Sequence, residues 1–402
     1  MSLLDGHVAL GKELTWNTPV TTSTGLPVNP VDWDLKEEWE TIVSSFRLPG
    51  QETETSTFSR VFKGITGQGA GELLDKGMGL LLLDMFGSLS SAVHPVEASM
   101  NRFTLVPTVT SKRGKSLTIQ LHKAFVDDLG RAFTGSGVKV VGFKLMCDKG
   151  GNVRYAVTLD GADVATSGRV ITASISTGNN VVTIANTVGL SVGMRVTGTG
   201  IPANSFIRKI TANTSFELGD STGAAANATA TNASASLTVS RGTAIAKASP
   251  TYPSSPQPFA WAGLTVLTLD GAQADCTGFE LSWDYKLLTD RRFMPGSGIK
   301  KEQVASGELS AAKLTLKGME WLETNRQHDR YNSITAAGAI AAFTMTAQTA
   351  APTAGATKAS LSITVPTARA ISGPPDMKGG QPADFDVLNG ITVTYDTSDA
   401  AP

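Results

Sequence analysis

Residues 278–287 read GFELSWDYKL, and this stretch decides the class of fold. Apolar side chains stand at every second position: Phe279, Leu281, Trp283, Tyr285 and Leu287. Polar side chains fill the positions between them: Glu280, Ser282, Asp284 and Lys286. This alternation predicts a half-buried β-strand with one apolar and one polar face. A charged loop at 288–302 and a second strand in 308–318 follow. Two strands joined by a long charged loop suit contact with another subunit better than they suit a catalytic pocket.

The same period of two recurs along the chain. Alternating stretches at 117–121 and 153–159 predict further strands, and the turn Asp148-Lys149-Gly150-Gly151 predicts a hairpin between 138–147 and 152–159. We expect other strands at these positions: 31–43, 58–74, 259–269, 359–366 and 390–396. Short helices are predicted over 77–85 and 319–330. The fold class is therefore mainly β, with one or two short helices.

Composition narrows the function. Of 402 residues only 17% are charged, and the formal net charge is −1, so no basic field draws the chain to nucleic acid or to an anionic membrane. The first residues lack the pattern of a secretory signal, and the longest apolar stretch, 78–86, is too short to span a bilayer. We expect a protein that is cytosolic when made, with no membrane partner.

A change of composition near residue 168 predicts the domain organisation. Residues 168–242 contain few charges and no Trp or Tyr, and they carry six short strand patterns. We interpret 168–242 as a small all-β domain inserted into a larger one, because insertions are tolerated where the ends of a loop lie close together. The larger domain comprises 1–167 and 243–402, the latter with a C-terminal arm.

The sequence shows no catalytic constellation. The four histidines have no metal-ligand spacing, and the chain has no G-x-S-x-G nucleophile elbow. The glycine-rich stretch 67–71 lacks the Lys-Ser/Thr of a phosphate-binding loop. His122, at the end of a predicted strand, is expected at the surface or rim. We predict no enzyme activity, no cofactor, no metal site, and no catalytic residue.

Several stretches, in order, resemble the major tail tube proteins of long-tailed, siphovirus-type bacteriophages. They are GKELTWNTPV (11–20), SRVFKGITGQGAGEL (59–73), MGLLLLDMFG (78–87), CTGFELSWDYKLLTDRRFMPGSGIKKE (276–302), GELSAAKLTLKGMEWLE (307–323) and FDVLNGITVTYD (385–396). Residues 188–202 resemble a small β module that recurs in phage structural proteins. The order and spacing of the stretches carry the resemblance, and 168–242 departs from the minimal tube subunit.

The resemblance implies a β-sandwich or β-barrel virion subunit that forms stacked, hexameric rings. The rings would make the tail tube through which phage DNA passes during ejection. Implied partners are further copies of the chain, a tape-measure protein in the lumen, and the tail terminator and distal tail proteins. The inserted domain would decorate the exterior.

The resemblance also suggests roles for particular residues. We expect the loops at 44–57 and 288–303 to connect rings, with the ring-to-ring contact at Thr289, Asp290, Arg291, Arg292 and Phe293. Polar strand faces would line the lumen, and the candidates there are Glu280, Asp284 and Glu308.

Two other classes of function remain open. A β-rich baseplate protein or host glycan-binding module would present aromatic side chains on the inserted domain, which contains only Phe206 and Phe216. A β-fold hydrolase of the cell wall would need paired catalytic groups that the sequence does not show. Tubes or rings in the electron microscope would distinguish the tube subunit from both.

Overall fold

A computed structural model describes residues 6–46, 55–108, 112, 115–123, 132–166, 168–240, 244–269, 271–274, 276–291, 300–318, 340–370, 383–388, 390–400 and 402. The described chain is mainly β, as the alternating patterns predicted, with a single α-helix, α1 (Gly79–Phe86), and a short 3-10 turn at Pro30–Asp32. It divides into two compact units. One is built around residues 164–248 and the other around residues 7–119, 135–163 and 249–402.

The first ten strands precede the six that form a closed barrel. They are β1 (His7–Glu13), β2 (Thr24–Leu26), β3 (Trp33–Phe46), β4 (Thr55–Glu72), β5 (Gly87–Val93), β6 (Asn101–Pro107), β7 (Ser116–His122), β8 (Phe133–Asp148), β9 (Arg154–Gly161) and β10 (Asp163–Thr166). The barrel strands are β11 (Arg169–Ile175), β12 (Val181–Thr183), β13 (Arg195–Gly198), β14 (Ser205–Thr211), β15 (Ser215–Gly219) and β16 (Asn232–Ser240).

Ten more strands follow the barrel. They are β17 (Phe259–Leu269), β18 (Ala272–Gln273), β19 (Gly278–Asp284), β20 (Leu287–Leu288), β21 (Val304–Ala305), β22 (Ala311–Lys317), β23 (Ile340–Thr349), β24 (Ser360–Ala370), β25 (Ala383–Val387) and β26 (Thr392–Thr397). Of the predicted strand 278–287, residues 278–284 form β19, and Leu287 begins β20 instead. Strand β19 pairs antiparallel with β22 in unbroken register from Gly278↔Lys317 to Asp284↔Ala311.

The sheet of the larger unit follows a continuous path of antiparallel pairs, β3-β4-β9-β8-β19-β22-β25-β24. Strand β24 also pairs with β23 along one edge, while its first half pairs with β26, which continues to β6 and β5. Phe279 on β19 and Phe343 on β23 lie 6.2 Å apart, centroid to centroid, although their strands are not neighbours. The sheet therefore folds over itself and encloses its apolar side chains.

The glycines of β4 make room for large side chains. A Cβ on Gly69 would lie 2.5 Å from the ring of Trp33, which is fully buried on the neighbouring strand. Gly64, with a φ of 131°, stands opposite a β-bulge between Glu38 and Trp39. Of the four glycines at 64, 67, 69 and 71 of β4, only Gly64 lies next to the bulge of the β3–β4 ladder.

The smaller unit contains the closed barrel β11-β12-β15-β14-β13-β16. Its six strands match the six short patterns predicted between 168 and 242, and its core is apolar: Ile171, Ala173, Ile175, Val182, Ile184, Val196, Ile207, Phe216, Leu218, Ala226, Ala228, Ala235, Leu237 and Val239. Phe216, fully buried, supplies the one aromatic ring of this core. Closure leaves none of its strands with a free edge.

Some expectations from the sequence were wrong. The predicted loop at 44–57 is shorter, because β3 continues to Phe46 and β4 begins at Thr55. The Ala/Thr stretch at 346–358, expected to be a loop, begins inside β23, which continues to Thr349. His122 is 1% exposed rather than at the surface. The predicted helix at 319–330 lies outside the described residues.

Candidate assembly surfaces

One face of the main sheet is polar across five strands. We call this the polar sheet face, and it comprises the side chains that point away from the core: Gln68, Ala70 and Glu72 on β4, Arg154, Ala156 and Thr158 on β9, Gly142, Lys144 and Met146 on β8, Glu280, Ser282 and Asp284 on β19, and Ala311, Lys313 and Thr315 on β22. The residues between them on these strands are largely buried. The two-residue period therefore produces one apolar and one polar face.

Ion pairs compensate several of the charges of this face. Lys144 Nζ lies 2.9 Å from Glu280 Oε1, and Lys313 Nζ lies 2.8 Å from Asp384 Oδ2 on β25. Asp284 pairs with Lys286 at 2.7 Å. Exposed pairs of this kind contribute at most about 1 kcal/mol each to stability. Their main effect is that the face carries many charges with little net field.

A groove of about 1380 Å³ crosses the polar sheet face. Small residues on neighbouring strands, among them Gly142, Ala156 and Ala311, form part of its lining, and Lys144 and Asp284 also line it. Burial alone would raise the pKa of Asp384, but hydrogen bonds from Lys313 and Thr315 lower it on balance. The carboxylate at this end of the face is therefore held ionised.

The structure places two of the three lumen candidates together. Glu280 and Asp284 both point out from β19 on the polar sheet face, and Glu280 is half-buried beside Lys144. Glu308 is exposed in the segment before β22, not on a strand as predicted. The partners of Glu280 were not foreseen, because cross-strand neighbours depend on register between distant segments.

The loop 288–303, predicted to make the ring-to-ring contact, is anchored at its C-terminal end. Thr289 is half-buried and Asp290 exposed, while the Arg291 guanidinium donates to the carbonyl of Glu302. Lys301 N donates to Arg291 O at 2.8 Å. Arg292 and Phe293 lie outside the described residues. The short strands β20 and β21 pair at the base of this loop.

Buried charges hold the segment 300–303. Lys300 Nζ lies 2.5 Å from Asp160 Oδ1, and both side chains are at most 6% exposed. Gln303 Nε2 donates to the other oxygen of Asp160 at 2.6 Å. Lys139, fully buried, donates to Glu302 Oε1 at 2.6 Å. Burial raises the pKa of Asp160, although Lys300 and Gln303 oppose the rise.

A third buried lysine lies beside this cluster. Lys112 Nζ donates to the carbonyls of Asp84 and Val140, and it stands 4.1 Å from the centroid of the Tyr285 ring. Burial lowers the pKa of Lys112 to about 8, against a partial rise caused by Asp84. Burial also raises the pKa of Asp84, whose carboxylate accepts from Val140 N at 2.7 Å. No sequence pattern indicated these lysines, since each looks like an ordinary surface residue.

A buried carboxylate fixes the segment after β1. Glu13 is 2% exposed, and its oxygens accept from Ser116 Oγ at 2.5 Å, Thr118 Oγ1 at 2.9 Å, Asn17 N at 2.9 Å and Gly137 N at 3.0 Å. Such a set of donors compensates for the burial of the charge. Glu13 belongs to the stretch 11–20 that first suggested the family, and its contacts give that stretch a physical role.

The hairpin β3–β4 projects beyond the sheet. Residues 65–72 of β4 pair with β9, whereas in the described chain residues 55–64 pair with β3 alone. Trp39 and Phe62 form an edge-to-face pair on this ribbon, 5.2 Å between centroids. A two-stranded ribbon is marginally stable by itself, so this hairpin is suited to packing against a partner.

Strand β5 forms an uncharged edge. Among the described residues its one strand partner is β6, in unbroken register from Gly87↔Pro107 to Val93↔Asn101. Its sequence, GSLSSAV, contains no charged residue and no Pro, and Val93 is 63% exposed. Edge strands that stay exposed to water usually carry charged residues or Pro, which prevent pairing with another strand. The edge is therefore a candidate for pairing with another strand.

No group of three or more His, Cys, Asp or Glu side chains is placed to hold a metal ion among the residues described. Within the same residues, no helix has both the length and the apolar character needed to cross a membrane. In the described part of the chain, Cys147 and Cys276 form no disulfide.

A β-rich unit with a projecting hairpin, an unprotected strand edge and a neutralised polar face defines the class of structural proteins that act by assembly. A sequence model of the phage tail tube protein family matches residues 4–201, about half of the chain. The chain belongs to the phage tail tube protein family, and it is a structural component of the phage virion. The match covers β1 to β10 and continues into the first three barrel strands. A search of curated proteins finds no match to this chain.

Proposed function

We propose that this chain is the subunit of stacked hexameric rings that form the tail tube of a long-tailed phage, and that DNA passes through this tube into the host. The polar sheet face would line the lumen, with Glu280 and Asp284 in the wall. The observation that carries the proposal is the combination of this face with its apolar backing in a member of the tail tube family.

The charge pattern suits a wall that DNA crosses without binding. A protein that neutralises phosphates with Lys and Arg gains affinity through the release of counterions. Lys144 and Lys313 already have acidic partners on the same face, at 2.9 and 2.8 Å. They therefore offer little uncompensated positive charge to a phosphate. The same wall would accommodate a tape-measure protein before ejection.

Ring formation would use the free strand edges. Strand β5 offers an uncharged edge, and β3 has β4 as its one strand partner among the described residues. Pairing between copies would satisfy the N–H and C=O groups of these edges and remove a site of aggregation. Contacts between rings would add the hairpin β3–β4 and the loop at 288–303.

Electron microscopy of the purified full chain tests the main proposal. Rings or tubes with a central channel are the expected result. A protein that stays monomeric over a wide range of concentrations, and is absent from tails of phage particles, would refute it.

Thiol labelling tests the assignment of the lumen. In a Cys276→Ser background, Glu280→Cys should react with a bulky maleimide in the monomer but far more slowly in tubes, where access is only through the ends. Thr172→Cys, on an exposed position of the barrel strand β11, is the control expected to react in both states. Equal rates at Glu280→Cys before and after assembly would exclude this face from the lumen.

The proposed ring-to-ring contact includes Thr289, Asp290, Arg291, Arg292 and Phe293. Replacing Arg291 and Arg292 by Glu should block stacking while single rings persist. Because Arg291 also donates to Glu302 within the chain, Arg291→Gln alone serves as the control for that contact. Normal tubes from the double variant would remove this loop from the interface.

We also propose that 168–242 is an inserted domain on the exterior of the tube. The alternative, a glycan-binding module, is less favoured because Phe216 is buried in the barrel core and Phe206 is half-buried. Glycan binding without tubes in the same microscopy samples would reverse this preference.

A further inference from the structure

The charges of this chain are unevenly distributed along it. Residues 168–242 contain five basic and two acidic residues, a formal charge of +3, whereas the whole chain carries −1. The compensating acid is concentrated at 32–40, DWDLKEEWE, which contains five acidic residues and one lysine. One stretch lies in the barrel and the other in the 3-10 turn and strand β3. Charges of opposite sign are therefore concentrated on different parts of the chain.

On the barrel, two arginines flank an aromatic ring. Arg195 on β13 stands directly opposite Phe206 on β14, and Phe206 stands opposite Gly219 on β15. The side chain of Arg208 lies over Gly219, since a Cβ there would be 3.1 Å from Arg208 Cβ. We call Arg195, Phe206 and Arg208 the arginine patch. Its residues lie on the neighbouring strands β13 and β14, and the Arg208 side chain extends over β15.

The acids near the arginine patch have partners of their own. Glu217 lies 3.5 Å from Lys209. Asp220 accepts hydrogen bonds from Thr222 and Ala224 in its own turn, and these bonds lower its pKa. Arg195 Nη2 donates to the neutral side chain of Asn204 at 3.2 Å. Arg208 is exposed and thus adds positive charge beside the half-buried ring of Phe206.

The projecting hairpin offers the complementary chemistry. Glu37, Glu38 and Glu40 are exposed on β3; Glu38 accepts from Thr66 Oγ1 at 3.1 Å, and Glu40 lies 3.9 Å from Lys63 Nζ. Trp39 Nε1 donates to Glu37 Oε2 at 2.9 Å, which holds this carboxylate beside the Trp39–Phe62 ring pair. An acidic group next to exposed aromatic area matches a surface of arginines around Phe206, because guanidinium groups both pair with carboxylates and stack on rings.

We propose that the acidic hairpin segment 37–40 of one copy docks on the arginine patch of a second copy. The inference rests on the proposed assembly of the chain, and it gives the barrel a role in holding neighbouring subunits together. The contact would stabilise a two-stranded ribbon that is only marginally stable by itself. It would also place the acidic residues of one copy against the arginines of a second copy.

A charge exchange in the full-length chain tests the contact. Arg208→Glu and Glu37→Arg should each raise the protein concentration needed for assembly about tenfold, because each replaces attraction by repulsion. The two substitutions together should restore assembly to within about twofold of the wild type. Sedimentation and negative-stain images give the readout.

Two variants serve as controls. Glu37→Gln keeps an acceptor for Trp39 but removes the charge, and it should have a smaller effect than Glu37→Arg. Lys247→Glu changes the same charge at an exposed position after the barrel and should leave assembly unchanged. Both single reversals should also lose their effect at high salt, where exposed charges are screened.

The outcomes separate this inference from the tube proposal. If wild-type tubes form and neither reversal changes them, or if the double variant is no better than the singles, the docking is refuted while the tube stands. If the wild type forms no rings, the tube proposal fails, and the docking is then measured as salt-sensitive self-association. A wild type that is monomeric at low salt refutes both.

Discussion

Removing the negative charge of Asp160 should release the anchored end of the loop 288–303. Lys300 Nζ lies 2.5 Å from Asp160 Oδ1, with 5% and 6% of the two side chains exposed. Asp160→Asn keeps the size of the side chain but leaves the Lys300 ammonium buried without its counter-charge. Breaking a buried pair from one side costs about 3 kcal/mol. The free energy of opening this segment should fall by about that amount.

Hydrogen exchange of the unassembled chain measures this opening directly. The amides of residues 300–305 should exchange roughly 100-fold faster in Asp160→Asn, since about 1.4 kcal/mol corresponds to a tenfold change. Amides in β19, which pairs with β8 and β22, should change little and serve as the internal control.

A second substitution distinguishes charge from general damage. Lys300→Met removes the stranded ammonium while keeping an unbranched apolar stem, so Asp160→Asn combined with Lys300→Met should recover much of the protection. Exchange at 300–305 that stays within about threefold of the wild type in Asp160→Asn would refute the anchoring role. A double variant worse than Asp160→Asn would contradict the electrostatic explanation.

Three further predictions concern other buried groups. The pKa of Lys112 is about 8 in the folded chain and 10.5 in the unfolded chain, so between these pH values the unfolded state binds more protons than the folded state. The stability of the wild type relative to Lys112→Met should therefore rise with pH, by at most about 3 kcal/mol between pH 8 and 10.5. Denaturant titrations over this pH range measure the difference. Glu13→Ala strands four buried donors and should lower stability by about 3 kcal/mol, with faster hydrogen exchange confined to 7–20 and its neighbours. Phe216→Ala leaves a cavity in the barrel core and should lower the stability of that unit alone by about 3–5 kcal/mol, which calorimetry would show as a thermal transition at lower temperature. An unchanged transition would mean that the barrel repacks around the missing ring.

Sequence periodicity predicted the strands better than their extents. The alternation in 278–287 correctly predicted the buried and exposed faces of β19, because successive side chains of a strand point to opposite faces of the sheet. Strand β25 was missed, since ADFDV is short and lies beside a long polar stretch. The ends of β3 and β4 were also missed, because residues 44–46 and 55–57 pair with each other across the hairpin, and pairing between separate segments leaves no period in the sequence.

The candidate assembly surfaces were predicted less completely than the fold. The alternation placed Glu280 and Asp284 on a polar face, but not beside particular partners. Lys139 and Lys300 looked like surface lysines, and only the three-dimensional structure shows that distant segments enclose them. Buried ion pairs of this kind have no sequence period, because each partner is supplied by a separate part of the chain.

The distribution of charge connects these observations. On the polar sheet face, Lys144 and Lys313 each form an ion pair with an acid on a neighbouring strand. Inside the unit, the buried lysines are compensated by Asp160, Glu302 and backbone carbonyls. Formal charge is uneven along the sequence, acidic at 32–40 and basic in 168–242. Because Lys144 and Lys313 of the polar sheet face already have acidic neighbours, we expect the salt dependence of contact between copies to come mainly from the acidic hairpin segment and the arginine patch, and less from the lumen.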